Sequence, residues 1–178
     1  RAKVDGYKPP AYWHYIRDIR ESISIPVIAN GEIWSVEDFV RCREQSGCED
    51  FMIGRGMMAC PDLAKQIRAY CNGEDYTPMS WLGACQLLYT FYQQTQSLYD
   101  RKYLGSRLKQ WLAYMRLHYP EAKVFFEHLK RLRTAPDIDA AFAAQGISAA
   151  DNSAAPLVDA IALDQSGLAD RDELAALV

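Results

Sequence analysis

Ile25-Pro26-Val27-Ile28-Ala29-Asn30-Gly31-Glu32-Ile33 and Asp50-Phe51-Met52-Ile53-Gly54-Arg55-Gly56 decide how this chain is read. Each is a short apolar run, rich in β-branched residues, that closes on glycine. Short apolar runs bounded by turn residues predict buried parallel strands. Between them, Ser35-Val36-Glu37-Asp38-Phe39-Val40-Arg41-Cys42-Arg43 predicts a helix, with Ser35 as N-cap and Asp38 three residues on. Strand, helix and strand make a βαβ unit with a right-handed crossover. In such units a ligand sits outside the carboxyl ends of the strands. Those ends are Asn30-Gly31 and Gly54-Arg55-Gly56. Glycine lets backbone N–H groups approach an anion, and Arg55 adds a planar cation suited to phosphate. A tight turn with no ligand competes as the explanation of either loop alone; the pair with an arginine is the sharper signal.

Outward from this unit, residues 1–10 are polar and end in Pro9-Pro10, with Arg1, Lys3 and Lys8 clustered near Tyr7. Trp13, Ile16 and Ile19 recur at helical spacing and predict a helix over 11–22. Pro61-Asp62-Leu63 predicts a helix through Tyr70, with the proline in its first turn. Residues 1–71 thus read helix–strand–helix–strand–helix, the end of an α/β barrel. In such barrels the loops after strands seven and eight are the usual phosphate site. A complete barrel takes about 250 residues. Arg1 has no Met before it and opens what reads as the middle of a loop. The expectation is the C-terminal portion of a longer protein, whose few strands leave edges and an apolar face uncovered.

Asn72-Gly73-Glu74-Asp75 marks a boundary, after which aromatic-rich helical periodicity replaces strand patterns. Residues 80–98 are expected to bury Trp81, Leu88, Phe91 and Tyr92. Residues 101–118 put Leu104, Leu108, Trp111, Leu112 and Met115 on one face. A helix headed by Pro120 carries Val124, Phe125, Leu129 and Leu132, and a last one runs from about Pro136 to Ala144. This predicts a small helical bundle. The expected organisation is 1–73, barrel portion; 76–145, helical domain; and 146–178, an acidic, Ala/Ser-rich and mostly mobile extension.

The net charge of −3 is unevenly shared: −2 over residues 1–75, +6 over 76–133 and −7 over 134–178. Within the basic part, Lys102, Lys109 and Arg116 are seven apart, as are Lys123 and Lys130. That spacing keeps cations on one exposed side of a helix, away from the leucine stripe. Basic faces with interleaved aromatics and few acids to pair with suit a polyanion, above all RNA. A solvated helix face is the competing explanation.

Composition narrows the classes. Hydrophobic residues at 49% and charged residues at 24% over 178 positions are those of a globular protein. No apolar run reaches transmembrane length, and no signal-peptide pattern opens the chain. Five cysteines without a CxxC pair argue against structural zinc and for a reducing compartment, the cytoplasm. His14, His118 and His128 are scattered, so no metal is expected.

Several motifs together resemble the bacterial tRNA-dihydrouridine synthases. They are Arg1-Ala2-Lys3-Val4-Asp5-Gly6-Tyr7, Ile25 to Trp34, Ser46-Gly47-Cys48, Met52-Ile53-Gly54-Arg55-Gly56 and Arg107-Leu108-Lys109-Gln110-Trp111-Leu112. The Lys-Gln-Trp-Leu helix with Tyr114 and Arg116 is similar to the C-type branch, whose members act at uridine 16 of the D-loop. The resemblance covers roughly residues 1–147. It implies an FMN-dependent TIM (β/α)8 barrel followed by a helical tRNA-binding domain. NADPH would reduce the flavin, the flavin would pass hydride to C6 of uracil, and a cysteine would protonate C5. That cysteine belongs to an earlier part of the barrel, and none of Cys42, Cys48, Cys60, Cys71 and Cys85 matches it. No catalytic residue is therefore expected here, and the chain alone is expected to be inactive. Carried over by position, Asn30, Gly31, Glu32, Gly54 and Arg55 would hold the FMN phosphate. Arg1, Lys3, Tyr7, Arg107, Lys109, Tyr114, Arg116 and Lys130 would face tRNA. Ala2 stands where the family has threonine, so any hydroxyl contact there is lost. The complete protein is expected to be a monomer.

Two other readings stay open at this level. One is a stand-alone RNA-binding module, because the helical part is complete and the barrel is not. The other is a different FMN-barrel oxidoreductase with a small substrate, which would have no use for a basic aromatic bundle.

Overall fold

The βαβ unit forms where its punctuation dictates. In the computed structural model, which describes residues 9–98 and 104–147 without the side chains of Ser97 and Leu104, Ser35 Oγ accepts from the Asp38 N–H at 3.2 Å. The Asp38 carboxylate reaches back to the Trp34 N–H at 3.0 Å. This reciprocal pair satisfies two amides at the start of α2 (Val36–Ser46). Gly47 ends the helix at φ 66°, a left-handed conformation that glycine adopts without cost, and its N–H bonds the Arg43 carbonyl.

Strands β1 (Ile28–Asn30) and β2 (Asp50–Met52) pair in parallel, with Ile28 opposite Asp50, Ala29 opposite Phe51 and Asn30 opposite Met52. Successive side chains point to opposite faces. Ala29 is fully buried on the helix side, where the Phe51 ring meets Phe39 edge-on at 4.8 Å. The other face is open: Ile28 is 60% and Met52 57% exposed, and Ile25 ahead of them 69%. The expectation of fully buried strands is corrected on this point. A parallel sheet needs cover on both faces, and among the described residues helices cover only one. The uncovered apolar face expected of a partial barrel is the face that carries Ile28 and Met52.

Helix α1 (His14–Ser22) starts after buried Trp13. Ile16 is half-buried, but Ile19, predicted on the same buried face, is exposed. It lies with Tyr12, Tyr15 and Asn30 along an open hollow instead of against the core. The stretch after Gly54 is a short helix, α3 (Arg55–Ala59), where the sequence suggested only a loop. Helix α4 (Leu63–Asn72) follows Asp62, so Pro61 precedes the N-cap instead of sitting in the first turn.

Helices α5 (Trp81–Leu98), α6 (Leu104–Met115), α7 (Pro120–Leu129) and α8 (Ala135–Ala143) pack around a second cluster of buried residues that includes Leu88, Tyr92, Leu108, Leu112, Leu129 and Phe142. Trp81 and Phe91 are half-buried at its margin. Val124, predicted on the packed face of α7, is 76% exposed. Phe125 and Leu129 take that face, and one residue earlier on a helix points about 100° away.

Among the described residues, hydrogen bonds tie the βαβ part to the bundle. The Trp111 indole on α6 donates to the Met58 carbonyl on α3 at 2.9 Å. Asp62 Oδ2 accepts from the Met79 N–H, just before α5, at 2.8 Å. Asp62 occupies the N-cap of α4 yet makes no side-chain cap there, its carboxylate being turned to the connector instead.

Candidate functional site

Asn30, Gly31, Glu32, Gly54 and Arg55 line one cavity of about 160 Å³, together with Ile33, Trp34 and Gly56. Gly31 and Glu32 are both left-handed, at φ 114° and 54°, which turns the chain sharply after β1. The Trp13 indole donates to the Gly31 carbonyl at 2.8 Å and holds this turn from behind. Glu32 is the non-glycine member, and its carboxylate is shared. Arg55 Nη2 donates to Oε1 at 2.7 Å, and Trp34 Nε1 donates to Oε2 at 2.8 Å. The guanidinium also lies 5.5 Å from the Trp34 ring centre. Gly56 sets the spacing of the two loops, because a Cβ there would stand 2.1 Å from the Ile33 carbonyl oxygen.

Trp13 and Trp34 were not assigned to this site from the sequence, and Gly56 was placed at the ligand-facing strand end without its part in spacing the loops. The spacing that put Trp13 on a core face says nothing of its indole N–H, and Gly56 carried no signal beyond being the last residue of the loop.

The donor set suits a phosphate. Arg55 is exposed and spends one edge on Glu32, whereas a guanidinium offers five N–H donors in a fork. Only the arginine of this pair is exposed, 57% against 16% for Glu32, so it is the guanidinium's free edge that faces an incoming anion.

The basic part separates on inspection. Arg107 and Tyr114 stand together, lining a second cavity of about 330 Å³ with Met58, Phe91, Gln110 and Trp111. Arg107 Nη1 donates to Gln110 Oε1 at 3.4 Å. Arg116 is exposed, with its guanidinium 4.7 Å over the Phe126 ring and its Nε donating to the Ala113 carbonyl at 3.2 Å. Lys109 departs from the expected exposed face. It is half-buried, and its Nζ donates to the Leu132 carbonyl at 2.8 Å. Burial, with the nearby Arg133 charge, lowers its pKa. Lys130 also departs, from the expectation of cations without nearby acids, because it pairs with Glu127 one turn back. Arg1, Lys3, Tyr7 and Lys102 lie outside the described residues.

The family model for dihydrouridine synthase matches residues 1–148. The chain belongs to the dihydrouridine synthase family. It is 50% identical over 131 residues to the tRNA-dihydrouridine(16) synthase of Pseudomonas putida, which covers 74% of this chain and 41% of that protein. It is 45% identical over 138 residues to the synthase of the same name from Shewanella oneidensis, 78% of this chain and 42% of the relative. It is 39% identical over 140 residues to that of Neisseria meningitidis, 78% of this chain and 41% of the relative. The chain thus spans about two fifths of the length of these curated relatives.

Cys42, Cys48, Cys60 and Cys85 are buried as free thiols, and Cys71 is exposed. Burial holds the Cys42 thiol up at about 11 and that of Cys85 at about 12. Burial, then the Asp62 charge, raises Cys60 to about 12, and its Sγ donates to Asp62 Oδ1 at 3.3 Å. No cluster of metal-ligating side chains and no helix long and apolar enough to cross a membrane occurs among the described residues.

Proposed function

We propose that this chain is the flavin-phosphate and tRNA-contacting part of a synthase that reduces uridine 16 of the tRNA D-loop to 5,6-dihydrouridine, with FMN as cofactor and NADPH as reductant. The observation that carries this reading is the convergence of the two glycine-ended loops, with Arg55, on one cavity. The names of the relatives, tRNA-dihydrouridine(16) synthases, supply the position in tRNA. Bound FMN, once reduced by NADPH, would supply a hydride to C6 of uracil, and a proton added at C5 from the remainder of the complete protein would finish the saturation.

In this reading Arg55 and the backbone around Gly31, Glu32 and Gly54 grip the phosphate. Glu32 presets the guanidinium, and Trp13 fixes the Gly31 turn. The phosphate end of the cofactor is thereby placed at the strand ends, as in other β/α barrels. The division is 1–73 for the barrel portion, 76–145 for the tRNA-binding helices and 146–178 for the extension. Arg107, Tyr114 and Arg116 carry the RNA face. Lys109 contributes chiefly by holding the turn after α7, and Lys130 acts as half of an ion pair.

The test is genetic and chemical. In tRNA from cells lacking this protein, mass spectrometry is expected to find uridine in place of dihydrouridine at position 16. Dihydrouridine persisting there overturns the assignment.

A further inference from the structure

The geometry points to Trp34 as a positioning residue for the Arg55 guanidinium, one that acts through Glu32 and keeps an edge of the cation open to the cofactor's phosphate monoester. The inference rests on the flavin-phosphate reading above and deepens it, because it assigns what sets the balance between the two anions that share Arg55.

Glu32 poses the problem. It stands at φ 54°, a left-handed conformation that a glycine adopts without cost and that other residues adopt rarely. A residue kept there against that preference has a use for its side chain. The carboxylate is turned to Arg55, and Oε1 accepts from Nη2 at 2.7 Å. A carboxylate and a guanidinium readily close into a parallel fork, two oxygens on two nitrogens. Such a fork would occupy the planar edge that a phosphate also needs. Here the second oxygen is engaged by the indole, Trp34 Nε1 donating to Oε2 at 2.8 Å.

The indole is itself anchored. Trp34 is half-buried, and its backbone N–H is bound by the Asp38 carboxylate at 3.0 Å, inside the cap of α2. The Arg55 guanidinium lies over its ring, 5.5 Å from the centre, and a cation within about 6 Å of an indole face is attracted by it. One side chain thus meets both partners of the pair, its N–H the anion and its ring the cation. Glu32, Trp34 and Arg55 line the same cavity, so the cap of α2 is linked through the indole to the cation of the phosphate loops.

The test measures flavin binding to the complete protein by fluorescence titration, with FMN and with riboflavin, which lacks the phosphate. Trp34→Phe keeps a ring beside the cation and removes the N–H. FMN affinity is expected to fall roughly 3- to 10-fold, and riboflavin affinity to stay at the parent's value. In a Glu32→Gln background no carboxylate remains to close on the cation, so the same substitution is expected to change FMN affinity less than about twofold. On the parent, the Trp34 indole ¹H–¹⁵N signal is expected to move on addition of inorganic phosphate, a readout that does not depend on any variant folding. Four outcomes overturn the role of Trp34 and leave the phosphate reading standing: unchanged FMN affinity in Trp34→Phe, an equal loss with riboflavin, an equal loss in the Glu32→Gln background, or an indole signal that phosphate leaves in place. A parent that binds FMN no more tightly than riboflavin fails the phosphate reading itself, and the inference with it.

Discussion

The Glu32 carboxylate accepts a hydrogen bond from the Arg55 guanidinium at 2.7 Å, joining the loop after β1 to the loop after β2. The pair presets the cation that the phosphate needs, and it also competes with the phosphate for that cation. Two substitutions separate the roles. Arg55→Ala removes charge-assisted, potentially bidentate donors, and FMN affinity is expected to fall roughly ten- to a hundredfold. Glu32→Gln keeps an acceptor for the Trp34 indole and removes the competing charge, so FMN is expected to bind more tightly at low salt. Flavin fluorescence titration of the complete protein measures both. Unchanged affinity in Arg55→Ala would remove Arg55 from the site.

Gly56 tests the closeness of the same two loops. A methyl group there would stand 2.1 Å from the Ile33 carbonyl oxygen and 3.2 Å from the Ile53 side chain. Backbone cannot yield as a flexible side chain does, so Gly56→Ala is expected to cost about 1–3 kcal/mol and to weaken FMN binding in parallel. Thermal unfolding and flavin titration on one preparation check it; a variant as stable as the parent would show that the loops separate freely.

Local rules reached the βαβ unit because its signals are local. Ser35 and Gly47 cap α2 through contacts within a few residues of each other, and such contacts follow from residue type. The exposure of Ile25, Ile28 and Met52 was foreseen only as a consequence of too few strands; their apolar character by itself argued for burial. Helix α3 was hidden by Gly54 at its N-cap and Gly56 inside it, since glycine has low helix propensity, and tertiary packing against α6 overrides that. Lys109 was misplaced for a third reason. Seven-residue spacing fixes the face of a helix but not which carbonyl of another segment will meet it, and here the segment after α7 brings Leu132 to Nζ.

Asp62 joins α4 to the connector before α5 and should set how the protein meets acid. Only 2% of it is exposed. Burial pushes its carboxyl up, but hydrogen bonds from the Met79 amide, the Cys60 thiol and Gln66 together hold it below its ordinary 3.8. A carboxylate depressed in the fold adds stability that is complete above the unfolded value and is lost as pH falls through the folded one. Asp62→Asn is therefore expected to cost about 1–3 kcal/mol at neutral pH. Below about pH 4 the parent should lose stability more steeply than the variant. Urea unfolding across the acid range reads both; parallel curves would mean that the charge on Asp62 is irrelevant to the junction.

Lys109 and Arg116 sit two helical turns apart on one sequence stripe, and the structure gives them opposite duties. The lysine's Nζ is bound to the Leu132 carbonyl at 2.8 Å and is half-buried. Removing a charged donor from a carbonyl it satisfies costs about 1.5–3 kcal/mol, so Lys109→Ala is expected to unfold at a clearly lower temperature. The arginine is exposed, and its stacking on Phe126 at 4.7 Å is worth about 0.5–1 kcal/mol at such a site. Arg116→Ala should stay nearly as stable as the parent. In tRNA binding the order reverses. Loss of the Arg116 charge should weaken binding uniformly across sequences and reduce the salt slope by about one unit, whereas folded Lys109→Ala should keep most of that slope. Paired measurements of melting temperature and salt-dependent tRNA affinity decide the matter. A stable Lys109→Ala protein with a reduced salt slope would return Lys109 to the RNA face and make its bond to Leu132 incidental.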